Sequence, residues 1–436
     1  MNGNEIQKLD AKHLWHPCSN MKDYELFKPL VIKGAYGSYF ELADGRKIID
    51  AISSWWCKSL GHNHPKLKKA LIKQLDQFEH VILANTSNEV IARLSEQLSM
   101  LIPGLNKVFY ASDGSSAVEI ALKMSLHARI IEGKPHKNRF IALKNGYHGE
   151  TLGALSVSDV GIYRAPYSSV LFSTEFLEVP YVSSTNEAEW HDSSQAWNQI
   201  QEKLELYRHH TTAIILEPIL QGAAGMRLYS QDFLSRLSSW AKAHDIHLIA
   251  DEIMTGIGRT GKMLACEHAN ITPDFICVSK GLTSGFLPLS AVITTDEIYQ
   301  QFYDDHERGK AFLHSHTYSG NALAASVALE TLSIIKKENL CIRAEKLQSI
   351  MINHLSDIAK QTEKLENIRG IGAVVAADLI THPKQHRPAF KFFQEAIKRG
   401  AFLRPIANTI YWLPPLTIEE ATLAELKQIT LDAINA

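Results

Sequence analysis

Hydrophobic and polar positions change period several times along the chain, and the changes mark its elements. Lys107–Ala111, Arg139–Leu143, Ala213–Leu216, Ile246–Ala250, Phe275–Val278 and Leu289–Thr294 are short, nearly continuous apolar runs. A strand covered on both faces by other elements has that pattern, because neither face alternates with water. Elsewhere apolar residues recur three and four apart, which predicts helices over 65–78, 89–101, 117–131, 195–207 and 322–337. Strands alternating with helices of this length imply an α/β fold around a mostly parallel sheet. Residues 158–212 are otherwise loop-rich.

Near the N-terminus the period becomes two. Ser38–Leu42 alternates, Ala43-Asp44-Gly45-Arg46 is a turn, and Lys47–Ala51 returns as a hairpin partner. Beyond 336, helices at about 341–365, 389–399 and 418–434 flank a strand at 373–379 and predict a second, smaller α/β unit. The expected division is 1–58 with the small domain, 59–335 as the large domain, and 336–436 as the C-terminal small domain.

The ends of the buried runs carry the chemistry. One stops at Asp251, and another reaches Lys280 two residues after Val278. Ligands in open α/β sheets sit beyond the carboxyl ends of the strands, so an acid and an amine reach the same edge. Either residue alone reads equally well as a solvated cap. Glycines at 256, 258, 261, 281 and 285 favour a backbone that passes close to a ligand. An amine for an aldehyde and a carboxylate for a pyridinium are what pyridoxal phosphate requires.

Other stretches are ambiguous on their residues alone. Ser112-Asp113-Gly114-Ser115-Ser116 leads into a helix and forms an anion site, or an ordinary cap by Asp113 or Ser115. Tyr147, in Asn145-Gly146-Tyr147-His148-Gly149-Glu150, is a surface turn residue or lies flat on a planar ring. By composition the pair Trp55-Trp56 belongs to a core, and Trp15, in an irregular segment with Pro17 and Cys18, is expected to bury itself. Glu217, ending another buried run, is expected to hold an arginine or a loop. Arg404 reads as a surface charge, although guanidinium also grips carboxylates with two parallel bonds.

With 45 basic and 47 acidic side chains the formal charge is −2, which leaves no basic footprint for nucleic acid. No apolar run approaches the roughly 18 residues of a spanning helix, and no secretory signal pattern is present, so a cytoplasmic location is expected. Five scattered cysteines imply neither a disulfide framework nor a zinc site, and His314 and His316 lack a third ligand.

Asp251-Glu252, Thr255–Gly261, Asp274 and Ser279-Lys280-Gly281 together resemble the signature of the class III pyridoxal-phosphate aminotransferases. Ser53-Ser54-Trp55-Trp56, Gly146–Gly149, Arg404-Pro405 and Tyr411 with Pro414-Pro415 are similar to the biotin-synthesis group, which forms 7,8-diaminononanoate. The resemblance implies a fold-type I enzyme with pyridoxal 5'-phosphate on the catalytic Lys280, Asp251 at the pyridine nitrogen, and Gly114 and Ser115 at the phosphate. It puts Tyr147 beside cofactor and substrate. It also implies a homodimer in which a loop carrying Ser315, His316 and Thr317 crosses to the other subunit's site, Thr317 meeting the phosphate and Ser315 the substrate.

On the same resemblance, Arg404 binds the carboxylate of 8-amino-7-oxononanoate, Trp55 packs on its chain, Cys18 lines the substrate site, and S-adenosylmethionine is the amino donor. Four positions depart from close relatives: Ser315-His316 replaces Gly-Pro, Glu150 stands where aspartate is frequent, and Cys18 replaces tyrosine or phenylalanine. Cysteine supplies neither a phenol hydrogen bond nor comparable stacking area. The alternatives are the same acceptor with lysine as donor, or a general ω-amino-acid:pyruvate aminotransferase.

Overall fold

The structure, a computed structural model, describes residues 1–382 and 385–436. Its centre is a seven-stranded sheet of β1 (Lys107–Ala111), β2 (Arg139–Leu143), β3 (Thr174–Leu177), β4 (Thr211–Leu216), β5 (His247–Asp251), β6 (Phe275–Val278) and β7 (Ser290–Thr294). The spatial order is β1-β7-β6-β5-β4-β2-β3. The sheet is parallel except for β7, which runs antiparallel to both β6 and β1.

Strands β4 to β7 are buried at every position, which is why their runs do not alternate. Successive side chains still point to opposite faces. Phe140, Ala142, Ile215, Ile249 and Phe275 join one apolar cluster with Ala117, Val118 and Ala121 of the helix Gly114–Ile131. Ile141, Ile214, Leu248 and Ile276 join another with the helices Gln231–Ala243 and Ala322–Lys337. Fully burying each of the larger side chains, the Phe, Ile, Leu and Val residues, stabilises the fold by roughly 1.5–3 kcal/mol.

Both termini meet in a second sheet, where Ile32–Tyr36, Tyr39–Leu42 and Lys47–Asp50 are extended by Ala401–Phe402. Phe402 pairs with Asp50, so the strand leading to Arg404 lies beside the strand leading to Trp55. A third, antiparallel sheet joins Leu365–Ile371, Val374–Leu379 and Thr409–Trp412.

Three expectations change. The helix from Leu340 stops at Thr362, because Glu363 takes a left-handed φ of 54° and starts a strand at Leu365. Thr174–Leu177, inside the loop-rich stretch, is the edge strand of the main sheet. Trp15 does not bury itself: its neighbour His16 anchors the loop on Asp10 at 2.9 Å, and the indole stays 85% exposed. Among the described residues no helix is long and apolar enough to cross a membrane.

Candidate active site

The register pairs Asp251 with Cys277, so the chain passes the end of β5 before it reaches Lys280. Ser279 Oγ donates to the Leu289 carbonyl at 2.9 Å, tying this turn to the start of β7. Lys280 then adopts a left-handed φ of 41°, a strained conformation that surrounding structure must hold. Its Nζ lies 4.7 Å from the ring centroid of Trp56, whose Nε1 donates to Tyr411 Oη at 3.0 Å. Burial lowers the pKa of the amine, while the charges of Asp251 and Glu217 pull the other way. The net depression increases the free-base fraction, the nucleophilic form.

Asp251 is held on both oxygens. Oδ2 lies 2.8 Å from His148 Nδ1, and Oδ1 accepts the Ile253 N–H at 3.1 Å. His148 is buried, and its Nε2 has no partner among the described residues. At the end of β4, Glu217 accepts the N–H groups of Tyr147 at 3.0 Å and Gly222 at 2.9 Å. It thus holds two loops and no arginine. Burial pushes its carboxyl up to about 7, with His148 opposing and Asp251 reinforcing that shift.

The capping reading is correct for Asp113, which accepts the Ser116 N–H at 3.0 Å and the Ser116 hydroxyl at 2.8 Å. The N–H groups of Gly114 and Ser115 have no hydrogen-bond partner among the described residues. Unpartnered groups at a helix start suit an anion. A Cβ on Gly114 would come within 3.0 Å of Ile253, and one on Gly149 would lie 1.9 Å from Ser115 Oγ. These close approaches draw the helix start, the Tyr147 turn and the end of β5 together. Ser115 Oγ accepts the Glu150 N–H at 3.2 Å, and Tyr147 Oη donates to Glu150 at 3.0 Å. An amine, a fixed carboxylate and an open helix start therefore match the aldehyde, ring nitrogen and phosphate of pyridoxal phosphate.

A second group assembles at the mouth. Arg404 Nη2 donates to the Cys18 carbonyl at 2.7 Å, and its guanidinium lies 5.0 Å from the ring centroid of Trp55. The tryptophan pair is split: Trp56 is buried, whereas Trp55 is 44% exposed. Ser53 and Ser54 have positive φ values of 51° and 60°, which turn the chain just before the two rings. Buried Asp50 holds that turn, accepting the Ser54 N–H and hydroxyl, each at 2.9 Å, with His62 Nε2 at 2.8 Å. Cys18 Sγ lies 2.9 Å from the hydroxyl of Tyr163, a residue that no motif in the sequence singles out.

The sequence model of the family "Aminotransferase class-III" matches residues 21–434. The chain belongs to the class III aminotransferases. An adenosylmethionine-8-amino-7-oxononanoate aminotransferase of Helicobacter pylori is 41% identical over 417 residues, 95% of this chain and 94% of that protein. The crystal structure of an enzyme of the same name from Methanocaldococcus jannaschii superposes with a TM-score of 0.93 at 33% identity, covering 100% of this chain and 99% of the other. An amine transaminase from an uncultivated Pseudomonas species, in its PLP-bound form, gives 0.89 at 30% identity, with 97% and 98% covered. This class III aminotransferase is a pyridoxal-phosphate enzyme acting on small molecules.

Not every expected site residue of this class III aminotransferase converges. Ser315, His316 and Thr317 lie on a surface loop, and no hydrogen bond joins them to Lys280, Asp251 or Gly114. The Thr317 carbonyl accepts from His80 at 2.8 Å, and His316 Nε2 lies 3.1 Å from His314 Nε2. Among the described residues no cluster is suited to a metal ion. His148 is a further site residue that the sequence does not point to. It lies inside the Gly146–Gly149 motif, but its buried pairing with Asp251 depends on how two strand ends meet.

Proposed function

We propose that this protein transfers the amino group of S-adenosylmethionine to 8-amino-7-oxononanoate, giving 7,8-diaminononanoate in biotin synthesis. The observation that carries the reading is the mouth itself, where the exposed face of Trp55 ends in the guanidinium of Arg404. A flat apolar surface terminated by a bidentate cation suits an aliphatic chain ending in carboxylate. Relatives named for this reaction, at 31–41% identity over nearly the whole chain, support the same reading.

Pyridoxal phosphate, when bound, supplies a ring that accepts the electron pair released at the substrate carbon. Lys280 would hold the aldehyde, and its amine would carry the proton to and from the substrate carbon. Asp251, oriented by His148, keeps the ring nitrogen protonated. The unpartnered backbone N–H groups of Gly114 and Ser115 would hold the phosphate, and Tyr147 would line the cofactor and substrate site. The exposed loop with Ser315, His316 and Thr317 is read as completing the site of a second copy in a cytoplasmic homodimer. Residues 59–335 are read as the cofactor-holding domain, and 1–58 with 336–436 as the small domain that closes the mouth.

Half-reactions test the assignment. The absorbance of the lysine-linked cofactor should be lost with S-adenosylmethionine and restored by 8-amino-7-oxononanoate. Restoration by pyruvate or 2-oxoglutarate alone overturns it in favour of a general ω-aminotransferase, and conversion by lysine alone keeps the acceptor but changes the donor.

A further inference from the structure

Tyr163 ends a short 3-10 turn, Gly161–Tyr163, in the loop-rich part of the chain. Its phenol is 2.9 Å from Cys18 Sγ, and the Cys18 carbonyl accepts from the guanidinium that lies over Trp55. One residue thus ties the Tyr163 hydroxyl to the Arg404 and Trp55 surface. Cys18 itself has a left-handed φ of 50°, which sends its carbonyl and its thiol to these two partners. With Sγ already in contact with the phenol, a longer side chain at 18 on the same backbone would occupy the place of Tyr163 Oη. The small residue at 18 and the phenol from 163 therefore form a matched pair.

We infer that Tyr163 is a donor-specificity residue, presenting its hydroxyl to the amino donor at the mouth bounded by Arg404 and Trp55. The inference rests on the proposed transamination and names a further residue that distinguishes its two substrates. Between its ketone and its carboxylate the acceptor is a plain hydrocarbon chain, which offers a wall hydroxyl nothing to bond. S-adenosylmethionine carries a sulfonium, ribose hydroxyls and purine nitrogens over the same span, so a phenol there meets polar partners and its ring face meets a cation. The contact with Cys18, reinforced by burial, pushes the phenol pKa up to about 12, so the hydroxyl remains protonated and able to donate at neutral pH. Tyr163 is 40% exposed, which leaves the ring accessible to a ligand.

The test compares the two half-reactions of the cofactor-loaded protein. In Tyr163→Phe, which keeps the ring and removes only the hydroxyl, the second-order rate constant with S-adenosylmethionine should fall about tenfold, while that with 8-amino-7-oxononanoate stays within about twofold. Cys18→Ala, which frees the phenol without deleting it, should show a smaller donor deficit of about threefold. Equal slowing of both half-reactions in Tyr163→Phe would mark a merely structural role and overturn the inference, as would no change in either. If the wild-type protein is converted by lysine and not by S-adenosylmethionine, the proposed donor fails separately. The Tyr163→Phe deficit is then measured with lysine, where a donor-selective loss supports the role and equal or absent effects overturn it.

Discussion

At the sheet edge, Asp251 and Glu217 are buried, and each is engaged by two polar partners, one from the turn after Arg139–Leu143 and one from the turn that follows the acid itself. At the mouth, Cys18 and Arg404 stand 386 positions apart and share one hydrogen bond, with Trp55 and Tyr163 exposed beside them. The first region is over-determined: a shift of any one group breaks several buried contacts. The second is built from single contacts between surface segments. A constellation that must move protons accurately benefits from the first arrangement. A surface that receives two unlike substrates in turn benefits from the second, because its members are replaceable one at a time.

The contrast is sharpest at Lys280. Lys280→Ala should lower turnover by roughly 10³-fold or more and abolish the lysine-linked absorbance band. Thermal stability should hold or rise, since a desolvated amine is removed; residual turnover within tenfold of wild type would break the assignment of chemistry to this edge.

Arg404→Leu addresses the mouth. Loss of a charged hydrogen-bonding partner should raise the KM for 8-amino-7-oxononanoate roughly 10- to 100-fold and leave kcat nearly intact. If kcat falls while KM holds, the mouth takes part in the chemical step and the two regions are not separable.

The last prediction concerns stability rather than turnover. Glu217 has its carboxyl raised from 4.5 to about 7 by burial. Between those values the folded protein retains a proton that the unfolded chain has lost, so this group's contribution falls as pH rises through the window, by roughly 3 kcal/mol. Glu217→Gln has no such titration. Melting curves at about pH 5 and about pH 8 should therefore converge in the variant relative to wild type, and an unchanged pH dependence would show that Glu217 is not held neutral.

Much of the edge is legible in the residues themselves. Asp251, Lys280 and Gly114 stand at the ends of apolar runs, and a parallel sheet sends all such ends to one side. The strand Leu365–Ile371 is not legible, because its solvent-facing part, with Glu366 and Asn367 exposed, breaks the apolar run and resembles the end of a helix. The fates of Trp55 and Trp56 are not legible either, since a turn through two left-handed serines, Ser53 fastened to the Leu413 carbonyl and Ser54 to Asp50, decides which ring is buried.

By itself, then, the sequence determined the α/β class, the edge at which ligands meet the sheet, and the residues adjacent to that edge in the chain, because local period and strand direction suffice for those. Only the tertiary structure decided that His148 orients Asp251, that Glu217 holds loops in place of an arginine, and that Cys18 meets both Arg404 and Tyr163. Apart from the Glu217–Gly222 bond, those contacts join residues distant in sequence, and no local pattern of hydrophobicity or charge encodes which distant partner a side chain will meet.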